Sequence, residues 1–130
     1  MMMKSLSFLL ASLLLSSMAH AASVSFVEPA DGATVPTTFP VKFAVEGMDV
    51  KPAGELSPTS GHHHLLINAS AIPAGESVPF DETHIHFGKG QTEATVTLKP
   101  GTYKMTLQFA NGAHQSYGEP LSKTITVNVK

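Results

Sequence analysis

Between residues 24 and 129 the apolar side chains fall at every second position in short runs. Pro, Gly, Asp or Asn interrupts these runs about every ten residues. Phe39, Val41, Phe43 and Val45 alternate with Pro40, Lys42 and Ala44; Ala94, Val96 and Leu98 alternate with Thr95 and Thr97; Tyr103, Met105, Leu107 and Phe109 share one face. A period of two sends successive side chains to opposite faces of a strand. No helical period of useful length occurs in this part of the chain. Strands are expected at Val24–Val27, Phe39–Val45, His64–Ile67, His84–Phe87, Thr92–Leu98, Tyr103–Phe109 and Thr124–Val129, and the stretches EPADGATVP, GMDVKPAGELSPTSG and AIPAGESVPF read as turns and loops. About seven short strands at this spacing predict an all-β fold, an immunoglobulin-like β-sandwich. Tyr103, just after the Pro100-Gly101 turn into the sixth strand, resembles the tyrosine corner of such domains.

The first residues read differently. MMMKSLSFLLASLLLSSMAHA has a Lys near its start, an apolar run from Leu6 to Leu15 and small residues at its end, the pattern of a secretory signal peptide. The expected organisation is a signal over residues 1–21 and one sandwich domain over 22–130, periplasmic or secreted, with no membrane span after cleavage. Cleavage after Ala21 follows Ala19-His20-Ala21 and is favoured. Cleavage after Ala19 would leave His20 as an N-terminal copper chelate of amine and ring.

Composition excludes several chemistries. The chain has no Cys, so neither disulfides, nor a thiolate copper site, nor a Cys-based zinc site can form. A net charge of -2 and the absence of any Arg remove the basic patch that nucleic acid requires, and bidentate phosphate recognition with it.

What remains is histidine. GHHHLLIN places His62, His63 and His64 at the head of the third strand, THIHFGKGQ places His84 and His86 on the fourth, and His114 lies in the loop before the last. In a sandwich of this topology the second–third, fourth–fifth and sixth–seventh connections share one end, so all six histidines are expected to converge there. Alternation sets His62 and His64 on one side and His63 on the other, while His84 and His86 share a face and Ile85 and Phe87 turn inward. Several neutral imidazoles with few carboxylates suit Cu(II) or Zn(II), with Ni(II) less suited. Asp81 and Glu82 are additional oxygen candidates or plain solvated charges. Met48 is a weak thioether candidate, and Met105, on a core face, reads as filler. Each histidine by itself is ordinarily a surface or packed residue; it is their joint placement that points to a metal.

The stretches FVEPADGATVPTTFPVKFAVEGM, GHHHLLIN and HIHFGKGQTEATVTLKPGTYKMTLQFANGAH together resemble a widespread family of small exported bacterial domains of unknown function, over residues 24–129. The resemblance implies that His62, His63, His64, His84, His86 and His114 occupy that family's characteristic positions, and that this chain departs from many relatives in having Tyr103 where they carry His. The opening AHAASVSFVEPADGATVP is more loosely similar to the small periplasmic copper-resistance carriers, which share a sandwich fold.

Three classes of function follow. The leading one is a periplasmic metal-binding protein for copper or zinc, acting in storage, delivery or protection, with His64, His84, His86 and His114 as ligands and an affinity that falls with pH through the histidine range. A second is an interaction module of the cell envelope whose His-rich end contacts a partner protein. The third, a copper-dependent redox enzyme similar to Cu/Zn superoxide dismutase, fits poorly: no Arg can steer an anion, no disulfide is possible, and no Asp within the His motifs can bridge a second metal. Hydrolytic catalysis has no support from a Ser-His-Asp order or paired carboxylates.

Overall fold

The structure, a computed structural model, describes residues 21–130. Residues 1–20, which hold His20 and all but the last residue of the expected signal peptide, lie outside the described residues. Among the described residues nine strands form two packed sheets: β1 (Ser23–Glu28), β2 (Thr34–Val35), β3 (Thr38–Glu46), β4 (Asp49–Val50), β5 (Ser60–Ile67), β6 (His84–His86), β7 (Glu93–Thr97), β8 (Gly101–Ala110) and β9 (Ser122–Val129). One sheet has the order β1-β3-β7. The other has the order β2-β9-β8-β5-β4, with β6 also paired to β5. The expected all-β sandwich is present. β2 and β4 fall inside stretches that the sequence assigned to turn and loop. Each is two residues long and pairs in parallel, with β9 and β5 respectively, so neither is long enough to display an alternation.

The expected faces follow the pleat. Phe39, Val41 and Phe43 from β3 meet Leu65 and Ile67 from β5, Met105, Leu107 and Phe109 from β8, and Ile125, Val127 and Val129 from β9 in one buried cluster. Burying each such side chain contributes about 1.5–3 kcal/mol. Met105 is core filler, as its strand position indicated. The Tyr103 hydroxyl donates to the Lys99 carbonyl at 2.8 Å, which completes the tyrosine corner.

The larger sheet is buried on its other face as well. His62, His64 and Leu66 on β5 and Thr106, Gln108 and Ala110 on β8 point away from the core and are nevertheless fully buried. Their cover is the connection between β5 and β6, which folds back across the sheet instead of leaving it. Ile72 N–H donates to Gln108 Oε1 at 3.0 Å, Ser116 Oγ donates to the Ile72 carbonyl at 2.7 Å, and Val78 N–H donates to the His114 carbonyl at 2.8 Å. The Gln108 amide in turn donates to the carbonyls of Gly118 and Leu121. A face that would ordinarily be solvated is thus enclosed between the sheet and a hydrogen-bonded strap.

Gly61 permits the close approach on which this depends. A Cβ at that position would overlap the Ala110 carbonyl oxygen and press on the Phe109 ring. Gly61→Ala is therefore expected to force β5 and β8 apart just before the three histidines, lowering stability by about 1–3 kcal/mol in urea unfolding. Among the described residues no helix is long and apolar enough to cross a membrane.

Candidate metal centre

Register places the histidines. β5 lies between β8 and β6, with His62 opposite Ala110, His64 opposite both Gln108 and His86, and Leu66 opposite His84. His64 and His86 are thus cross-strand neighbours on the enclosed face, their ring centroids 4.4 Å apart, as paired positions across a sheet require. His62, two residues back along β5, lies beside His64 with its ring tilted by 39° and the centroids 4.6 Å apart.

His114 arrives from the β8–β9 loop. Its backbone is left-handed, with φ of 61°, a conformation that His tolerates better than most side chains but that still costs about 1 kcal/mol or more. The surrounding turn holds it there. Asn111 Oδ1 accepts from Ala113 N–H and Gln115 N–H, the Asn111 carbonyl accepts from His114 N–H, and the His114 carbonyl accepts from Val78 N–H.

The result is a convergence on one atom. His114 Nδ1 lies 3.0 Å from His62 Nε2, 3.2 Å from His86 Nδ1 and 3.4 Å from His64 Nε2, and one ligand atom from each of the four rings falls within 4.8 Å of all the others. A neutral imidazole nitrogen carries either one proton or one lone pair, so His114 Nδ1 can complete at most one hydrogen bond with these three neighbours. A cation, by contrast, can accept all four lone pairs at once. His86 is oriented for that role: its Nε2 donates to the Pro79 carbonyl at 2.8 Å, which leaves Nδ1 unprotonated and facing the cluster.

Burial keeps the His62, His64 and His86 rings neutral. Desolvation, followed by the neighbouring His114 and His86 rings, lowers the pKa of His62 to about 4. Desolvation and the surrounding rings lower that of His64 to about 2. His86 is lowered as well, mainly by burial, against the opposing effect of the Pro79 carbonyl. Phe80 stacks on His86 at 3.7 Å and meets His114 edge-on at 5.6 Å while remaining 77% exposed, so it forms the outer cover of the cluster.

Two of the six expected histidines stand apart. His63 points into the core, as alternation required, between Phe43 at 5.3 Å and Phe109 at 5.1 Å. Both its ring nitrogens are buried without a hydrogen-bond partner, and burial holds its pKa down to about 4. An unsatisfied buried polar group costs about 1–3 kcal/mol. His63→Leu is expected to stabilise the fold by about 1 kcal/mol at pH 7 in urea unfolding, with metal binding unchanged.

His84 shares the face of His86, but a tight turn takes up its ring. Its Nδ1 bonds Asp81 Oδ1 at 2.7 Å and Thr83 Oγ1 at 3.0 Å, and this pairing lowers the Asp81 pKa. Asp81 is therefore a partner of His84. Met48 packs against the core. The histidines do not all meet at the rim of the sandwich: His62, His64, His86 and His114 meet on the outer face of the larger sheet, because β5 pairs with β8 from His62 to Ile67 and so brings the three histidines into the sheet.

Sequence reasoning missed the strap. Ile72, Val78, Pro79 and Phe80 were assigned to a plain loop, although three of the four are large and apolar and a solvated loop has little use for such a set. Comparison with curated proteins and with solved structures gives no match. A family model described as a domain of unknown function (DUF4399) matches residues 41–130, a stretch that contains the strap and all six histidines, and the chain belongs to that family.

Proposed function

We propose that this chain is an exported metal-binding protein of the bacterial envelope, holding one copper or zinc ion through His62, His64, His86 and His114 for storage, delivery or protection. The observation that carries the reading is the aim of three ring nitrogens, at 3.0–3.4 Å, at a fourth that cannot satisfy them. Burial holds His62, His64 and His86 neutral, so these rings have no proton to lose on binding, which favours metal capture at neutral pH. Four protein nitrogens complete a four-coordinate shell, the closed arrangement of sites that hold a metal, whereas catalytic sites keep a position open for substrate. This favours holding an ion over redox or hydrolytic chemistry.

The test is calorimetric titration of the untagged protein with Zn(II) and Cu(II), alongside the metal content of protein purified from the periplasm. One equivalent should bind tightly. His86→Ala should weaken it by at least tenfold and His84→Ala should leave it intact, because only His86 belongs to the cluster. Equal loss in both variants, or no binding by the parent, refutes the reading and leaves the His-rich face as a protein contact surface.

A further inference from the structure

Among the described residues the smaller sheet ends at β7, which pairs with β3 on one side and with no strand on the other. Leu98 N–H donates to the Thr37 carbonyl at 2.9 Å, and Phe43 N–H donates to the Thr92 carbonyl at 2.8 Å. In an antiparallel pair such residues alternate with others whose N–H and C=O point the opposite way. Glu93, Thr95 and Thr97 therefore present their backbone groups at the free edge, and all three are exposed. Pro40, which has no N–H to give, lies opposite Thr95, in keeping with that alternation.

An open edge invites pairing, and folds ordinarily blunt it with a bulge, a Pro or an inward-pointing charge. β1, at the other edge of this sheet, has such a device: its register shifts between Phe26 and Glu28 as at a bulge. β7 has none, for its sequence is EATVT and its inward residues are Ala94 and Val96. Beside it the sandwich is open. β6 and β7 do not pair, and the groove between them is lined by Ile67, Ile85, Phe87, Ala94, Val96 and Leu98.

We infer that this edge and groove are the contact with a second copy of the chain, paired antiparallel, β7 to β7, about a two-fold axis at Val96. Only residues of like backbone direction can stand opposite each other, so the allowed registers differ by steps of two, and a slip of one would turn the apolar face outward. The register centred on Val96 sets Glu93 opposite Lys99 and Thr95 opposite Thr97, each pair occurring twice. Centring on Thr95 or Thr97 instead sets Lys99 opposite Gln91 or Thr95 and loses both ion pairs. Opposite charges and Thr pairs directly across antiparallel strands are favourable. Val96 and Leu98 of the second copy then lie beyond the edge and over the groove, which removes apolar surface from water on both copies. The contact is self-complementary and consumes the edge, so it closes at two copies. It does not depend on whether the histidine cluster holds an ion.

Sedimentation equilibrium of the untagged protein tests this, with a chelator present so that ions do not bridge molecules. The mass should double by about 100 µM protein, a range in which small interfaces populate their complexes. Glu93→Lys and Lys99→Glu each set like charges opposite one another, and each should raise the dissociation constant by about tenfold or more. The two changes together restore opposite charges and should return the constant toward that of the parent. The chain has no Cys, so Val96→Cys supplies a single thiol per copy. On the two-fold axis its Cα atoms stand about 4.5 Å apart, within disulfide reach, and diamide should link the copies covalently. Far-ultraviolet circular dichroism shows which variants are folded, and should one fail to fold, the other measurement decides. A protein that stays monomeric through this range overturns the proposal. So does a dimer that neither single charge change weakens, or one that the double change fails to restore.

Discussion

Substitution of His114 by Ala should remove metal-dependent stabilisation altogether. In the parent protein a ligand that binds only the folded state, at a free concentration one hundred times its Kd, adds about 2.7 kcal/mol to stability. For a chain of this size that moves the thermal midpoint upward by roughly 10 °C. His114 Nδ1 is the nitrogen that the other three face, so its loss leaves three donors around a gap where the fourth stood. The His114→Ala protein should melt at the same temperature with and without Zn(II). Its metal-free stability should stay close to the parent's, or fall slightly, because Ala tolerates the left-handed backbone of this turn less well than His does. Differential scanning calorimetry of parent and variant, each with and without the ion, separates the two effects. A variant that still gains stability from one equivalent of Zn(II) places the ion elsewhere.

Acid should unfold the metal-free protein over a narrow range. His62 and His63 have pKa values of about 4 and His64 of about 2 in the folded state, against about 6.5 for an unperturbed His. The folded form therefore binds fewer protons than the unfolded form between those values. Stability from these three groups is fully present above about pH 6.5 and is lost as pH falls, down to about 4 for His62 and His63 and on toward about 2 for His64. Each buried neutral His contributes up to about 1.4 kcal/mol per pH unit over that window. Three together give a slope of about 4 kcal/mol per pH unit, enough to exhaust the whole stability of a small domain before pH 4. Urea midpoints measured from pH 7.5 down to pH 4.5 should fall steeply and continuously. A saturating ion should shift the fall to lower pH, because protons must then displace it from His62 and His64. His63→Leu should remove about a third of the slope without touching the metal-dependent part. A flat profile through pH 5 would show that the three rings are not buried as neutral groups.

The sequence displayed some parts of this arrangement and concealed others, for definite reasons. Alternation in TFPVKFAVE, EATVT and TYKMTLQF revealed the strands and their core faces, because a sandwich buries one face of each strand and the pattern repeats every second residue. The same rule split GHHH correctly, sending His63 into the core and His62 and His64 outward. What alternation cannot display is the burial of an outward face. Residues 60–67 are buried at every position, and that follows from the strap over residues 72–80, whose path depends on Gln108 and Ser116 far along the chain. His84 likewise looked equivalent to His86, since two residues along a strand return to the same face. The difference between them is local chemistry: Asp81 and Thr83 reach the His84 ring first, whereas His86 has only a backbone carbonyl behind it and so turns its other nitrogen to the cluster.

X-ray absorption at the zinc edge of the protein loaded with one equivalent addresses the four-histidine centre itself, because it counts the atoms bound to the ion. The expected spectrum has four nitrogen neighbours at about 2.0 Å, with the outer-shell scattering of four imidazole rings and no sulfur. A shell of mostly oxygen, or of one or two imidazoles completed by water, would mean that His62, His64, His86 and His114 meet in the fold without holding the ion together.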